Sequence, residues 1–165
     1  MRFIKLIVIS FVIIVILVTG VSLLFPSTVI VSRAINIRAP KDSVFEYVKN
    51  FNGWKQWIVG LKDSSVTIFS NTQANLAGTN VVITNSDTSS VHSVWTSKRG
   101  KTMEGDIHLF NNPQSPNITV VQWQFQQKLK WYPWEKFASL MGDKIMSPMM
   151  ESNLLLLQKA VEKMP

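Results

Sequence analysis

The sequence predicts an α+β architecture: an N-terminal transmembrane helix, then a curved antiparallel sheet wrapped around a long C-terminal helix. Three observations carry that expectation. Leu6 to Phe25 contains no charged residue. Residues 28–128 break into β-branched, alternating segments separated by turn signals. From Trp134 to Lys163, apolar residues recur at intervals of three and four. A sheet with one apolar face and a helix with a long apolar stripe must bury each other.

The first segment explains the composition. The chain has 165 residues and a net charge of +7, yet only 16% of it is charged and its mean hydropathy is +0.14. Soluble domains carry roughly 25% charged residues, and here the deficit is concentrated in residues 6–25. About 20 apolar residues at 1.5 Å rise span the ~30 Å hydrocarbon core of a bilayer. Arg2 and Lys5 precede the run and no basic residue comes after it until Arg33. That asymmetry holds the N-terminus in the cytoplasm and exports the rest of the chain. A cleaved signal peptide is the rival reading, with Thr19, Gly20 and Ser22 near a cut. The run continues through Val21, Leu23, Leu24 and Phe25, longer than a signal h-region of about 7–15 residues, which favours an uncleaved anchor over residues 1–26. Residues 27–165 then form one exported domain, with 15 basic and 10 acidic residues.

Thr28 to Arg38 is strand-like, with Val29, Val31, Ile35 and Ile37 on one face. Ala39-Pro40 ends it, and Pro suits a helix's first turn. Val44, Phe45, Val48 and Phe51 then mark a short amphipathic helix that Asn52-Gly53 closes. Further strands are expected at Val66–Ser70, Val81–Thr84, Val91–Lys98, Thr102–Phe110 and Ile118–Lys128, with a featureless Asn/Gln/Ala-rich loop between the first two. In the last of these, Thr119, Val121, Trp123 and Phe125 alternate with Gln122, Gln124 and Gln126, as on a sheet with one wet face. The final helix carries Pro148, so a kink or break is expected near Met146-Ser147.

Several stretches together resemble the START-like helix-grip superfamily, of the polyketide cyclase and lipid-transport type, and in particular its membrane-anchored bacterial members. They are Val31-Ser32-Arg33-Ala34-Ile35-Asn36-Ile37-Arg38-Ala39-Pro40, Val44-Phe45-Glu46-Tyr47-Val48 and Trp54-Lys55-Gln56-Trp57. Near the end they are Gly142-Asp143-Lys144-Ile145-Met146 and Met150-Glu151-Ser152-Asn153-Leu154. The resemblance implies a fold and a cavity between sheet and helix, not a chemistry. Met103-Glu104-Gly105-Asp106 stands where many relatives show a Gly-x-Gly run, and no catalytic residue is carried over.

Trp54, Trp57, Trp95, Met103, Trp123, Phe125, Phe137, Leu140, Met141 and Ile145 are the candidate lining of a cavity for a hydrophobic or amphipathic small molecule; packing an ordinary core is the alternative. Lys128, Lys130, Trp131 and Trp134 interleave base and aromatic, the residue types that settle at a bilayer interface; an ordinary strand-to-helix connection, with Pro133 marking the helix start, is the alternative. Glu104, Asp106 and His108 share one strand face, which reads as solvated. His92 stands alone. Lys98-Arg99-Gly100-Lys101 is a basic hairpin tip that reads as a solvated turn or a contact for anionic lipid. With zero Cys, disulfide scaffolds, zinc–thiolate sites and cysteine nucleophiles are excluded. No metal-ligand spacing, phosphate loop or nucleophile elbow is present, so no cofactor is expected. The basic residues do not cluster as a nucleic-acid footprint would. A non-enzymatic, membrane-anchored binding domain is the first reading. A cyclase- or dehydratase-type enzyme using Glu104, Asp106 or Tyr47 is the second, and a ligand-free interaction module the third.

Overall fold

The computed structural model describes residues 2–112, 114–139 and 142–163. The apolar N-terminal segment is a helix, α1 (Arg2–Leu23). Its stretch Phe3–Leu23 is long and apolar enough to cross a membrane, and its large side chains, Phe3, Ile7, Phe11 and Leu17 among them, stand exposed.

After the strand β1 (Thr28–Ile37) come two short helices, α2 (Lys41–Val48) and α3 (Phe51–Trp54). The hydroxyl of Thr119 donates to the carbonyl of Ala39 at 2.8 Å in a buried position, fixing the turn from β1 into α2. Pro40 caps α2 with φ −62° and an extended ψ. Asn52-Gly53 does not end the helical stretch. Instead, Asn50 breaks it and caps α3 by accepting from Gly53 N–H at 3.0 Å. Only glycine fits at position 53: a Cβ there would lie 2.6 Å from Tyr47 C and 2.8 Å from Glu46 O, both backbone atoms.

The remaining strands are β2 (Val66–Ile68), β3 (Gln73–Leu76), β4 (Thr79–Asp87), β5 (Ser90–Thr96), β6 (Thr102–Asn112) and β7 (Ser115–Lys128). All pairings are antiparallel, in the order β1-β7-β6-β5-β4-β3-β2. The Asn/Gln/Ala-rich stretch, expected to be a loop, is partly strand. In β3 only Ala74 is fully buried, so periodicity is nearly silent; its ladder to β2 and β4 holds it. Residues 85–87, expected to be a break, continue β4 beyond an irregularity between Ile83 and Asn85. The turn falls after Asp87, whose carboxylate accepts from the N–H groups of Ser89 and Ser90 at 2.8 Å each.

The chain ends in α4 (Pro133–Ser139) and α5 (Gly142–Glu162). The break expected near Met146-Ser147 is absent, because α5 runs through Pro148. Pro148 and Lys144 are both exposed, so the carbonyl that proline leaves without its helical partner can be hydrated. Helix α5 presents Ser147, Met150, Leu154 and Leu157 to the sheet. Arg33 of β1 clamps it, donating to Glu151 at 2.8 Å, to Asp143 at 3.1 Å and to Ser147. Buried Asn153 accepts from Val59 N–H at 2.8 Å and ties down the segment after α3.

Candidate ligand-binding site

The tryptophans divide into two populations. Trp54, Trp57, Trp123 and Phe125 are buried, each at most 3% exposed. With Trp95 they form a closed circuit of ring contacts. Centroids are 6.3 Å apart for Trp54–Trp57, 5.4 Å for Trp57–Trp123 and 5.2 Å for Trp123–Phe125. Phe125–Trp95 at 5.3 Å and Trp95–Trp54 at 6.2 Å close it. The indole N–H groups of Trp54 and Trp57 donate to the carbonyls of Val48 and Tyr47 at 2.6 and 2.9 Å. These partners leave no orphaned donor on either ring, so the circuit packs as core. Gly105 lies between Ser93 and Phe125 on the interior face, where a Cβ would sit 2.9 Å from each of their nearest side-chain atoms.

Trp95 belongs to both core and cavity. One end of the interior stays open as a pocket of about 330 Å³. Trp95, Met103 and Leu129 are its apolar lining, with Thr79, Lys101 and Glu135 among its polar groups. Of the sequence candidates, Trp95 and Met103 line this pocket and Phe125 backs Trp95. Ile145 is 71% exposed on α5, because the helix turns its 147-150-154-157 stripe to the sheet and that residue falls outside it. Phe137 belongs to α4, its side chain outside the described residues, as are Leu140 and Met141 altogether.

A second hollow, about 420 Å³, adjoins the first. It is lined by Arg99, Lys101, Lys128 and Lys130 together with Glu104, Gln126 and Glu135. Glu135 ties this corner together: its carboxylate accepts from Lys130 N–H at 3.0 Å and lies 3.8 Å from the Lys101 ammonium. Sequence reasoning missed Glu135, because its role depends on α4 folding back over the strand ends. Leu129 was missed as well.

Helix α4 joins this corner to the N-terminal helix. It packs against α1, and buried Lys136 donates to the Phe25 carbonyl at 2.8 Å. Trp131 and Trp134, just before and within the first turn of α4, are 61% and 67% exposed and both contact the Tyr132 ring at 4.8 Å. The exposed aromatics thus stand beside the helix that holds the end of α1.

The polar strand face is the outer one. Ile107 and Leu109 of β6 are buried while Glu104, Asp106 and His108 alternate with them on the opposite side. His92 is not alone: register places it opposite Asp106, and its Nδ1 pairs with that carboxylate. Sequence separation had hidden a cross-strand neighbour. Among the described residues no group of His, Asp or Glu side chains is arranged to hold a metal ion.

Solved structures share this architecture. A protein from Nitrosospira multiformis is 16% identical, the match covering 79% of this chain and 94% of that one, with a TM-score of 0.62. A START superfamily protein from Mycobacterium smegmatis is also 16% identical, over 81% of this chain and 97% of that one, with a TM-score of 0.57. The di-domain ARO/CYC BexL from the BE-7585A biosynthetic pathway is 13% identical over 84% of this chain, with a TM-score of 0.60; the chain spans about half, 52%, of its length. Neither a protein-family model nor a curated protein matches the sequence. The fold is therefore the START-like helix grip, as the sequence motifs imply.

Proposed function

We propose that residues 27–165 form a membrane-anchored binding domain that takes a hydrophobic or amphipathic small molecule into the pocket over Trp95 and Met103 without transforming it. The observation that carries this reading is the position of the pocket. It opens at the end of the grip where Glu135 of α4, a helix that packs against α1, meets Lys101 and Lys130 beside the strand ends. Residues 1–26 serve as the anchor, with the N-terminus cytoplasmic and the domain on the far side. Lys128, Lys130, Trp131 and Trp134 then sit at the depth where basic and aromatic side chains favour a bilayer interface. The neighbours described as a START superfamily protein and as ARO/CYC support a small-molecule ligand in general. The non-catalytic reading is supported by Asp106, one of the carboxylates an enzyme reading would use, which pairs with His92 on the outer face away from this pocket.

The test is native mass spectrometry of the full chain in nanodiscs prepared from an expressing membrane, with organic extraction of co-purifying molecules. A stoichiometric apolar or amphipathic molecule is expected, with lower occupancy in a Met103→Trp variant that shortens the pocket. An unliganded mass for both proteins would refute the reading and favour an interaction module.

A further inference from the structure

The two adjoining hollows point to the chemical class of the ligand. We propose that they form one site for an anionic amphiphile, its apolar part over Trp95 and Met103 and its carboxylate or phosphate head among Arg99, Lys101, Lys128 and Lys130. This rests on the binding function proposed above and adds the head-group chemistry.

Strand alternation builds the arrangement. Along β6 and β7, Met103 lines the interior pocket while Thr102, Glu104, Gln126 and Lys128 line the groove, because successive side chains point to opposite faces. The hollows therefore lie on either side of the same strand ends and share Lys101, Gln127 and Glu135. A molecule with one apolar and one polar end can straddle that rim. A purely apolar one would leave the groove unused.

Charge sets the sign of the head. The groove carries four basic side chains against Glu104 and Glu135. Among the described residues, Arg99, Lys128 and Lys130 form no ion pair, and Lys101 meets Glu135 only at 3.8 Å. That exceeds the ~2.7–2.9 Å of a charge-assisted hydrogen bond, so the Lys101 ammonium keeps donors to offer at the junction. Gly100, with φ +73°, turns the chain between Arg99 and Lys101, bringing both into the groove's lining. A concave lining of net positive charge concentrates an anionic group.

The experiment uses the full chain in dioleoylphosphatidylcholine nanodiscs, with n-decyl phosphate, n-decylphosphocholine and inorganic phosphate as probes. Decyl phosphate is expected to bind one to one and at least tenfold more tightly than decylphosphocholine. The triple variant Arg99→Gln, Lys128→Gln, Lys130→Gln should bring the two within about twofold, chiefly by weakening decyl phosphate, while a thermal midpoint close to the parent's reports an intact fold. Equal affinities in the unaltered protein would overturn the proposal. So would inorganic phosphate displacing decyl phosphate at comparable concentration, since the head alone would then be the ligand. A triple variant that loses only attachment to anionic vesicles, its preference for decyl phosphate intact, would assign the basic residues to the membrane surface and overturn it too. If neither decyl compound binds one to one, the pocket reading itself fails along with this one.

Discussion

Chain length is the sharpest probe of the pocket. At roughly 30 Å³ per water, the 330 Å³ hollow has room for about eleven waters, or about ten methylene-sized groups. Each buried methylene contributes ~0.8 kcal/mol, which is about fourfold in Kd. A series of n-alkylphosphocholines from four to fourteen carbons, titrated into the full chain in nanodiscs, should therefore gain about fourfold per carbon. The reference is the free aqueous concentration. The bilayer takes up longer chains with a similar increment, so slope alone does not identify a pocket. A plateau does: protein-bound ligand, counted by native mass spectrometry, should stop gaining near ten carbons while bilayer partition keeps rising. Met103→Trp should move the plateau to shorter chains and leave the slope unaltered. A slope below twofold per carbon, or a gain that continues to fourteen carbons in both proteins, would refute a bounded cavity at this position.

Three further outcomes are expected from the packing. Gly53→Ala should destabilise the fold by about 1–3 kcal/mol, as overpacked sites do, since the new methyl meets the backbone carbonyl of Tyr47; a urea midpoint unchanged from the parent would contradict the close approach. Asn153→Ala should cost about 1 kcal/mol by removing the acceptor of Val59 N–H, and Asn153→Asp should cost more, since the site is buried and a carboxylate there has no cation to pair with among the described residues; urea midpoints in the reverse order would contradict this. Hydrogen bonds from Ser89 and Ser90 and the nearby Lys41 hold the Asp87 carboxyl below the usual carboxylate range. A lowered folded-state value gives stability that is present above the unfolded value and lost as pH falls through the folded one. The melting-temperature difference between the parent and Asp87→Asn should thus exist at neutral pH and close below the carboxylate range; a gap that widens in acid would reverse the sign.

Much of the fold is legible in local sequence signals. The β-branched run 28–37, the alternation through Thr119, Val121, Trp123 and Phe125, and the spacing of Met150, Leu154 and Leu157 each state their own geometry, although the same apolar pattern also takes in Ile145 and Met149, which are exposed. The hidden elements depend on partners far along the chain. Strand β3 has almost no apolar pattern and exists because β2 and β4 flank it. His92 finds Asp106 only through register. Pro148 looks like a break because proline's usual cost in a helix is a property of the segment; here the affected position faces water. At the site, the sequence names Trp95 and Met103 among ten candidate lining residues. It cannot separate them from Trp54, Trp57 and Trp123, since core and lining draw on the same residue types. Glu135 is invisible for the reason that makes it useful: its partners Lys101 and Lys130 come from two other segments.

The joint between α1 and β1 has its own consequence. Four residues, 24–27, separate them, at most ~14 Å of extended chain, and much of even that reach is tied up. Phe25 N–H bonds back to Ser22, its carbonyl receives Lys136, and Ser27 accepts from Leu129 N–H at 2.8 Å. With α1 embedded as proposed, such a domain has no leash. It would be a fixed station on one membrane, unable to ferry a cargo across an aqueous gap, and its occupancy would be set by the molecules that the adjoining leaflet or a visiting partner brings within reach of the rim.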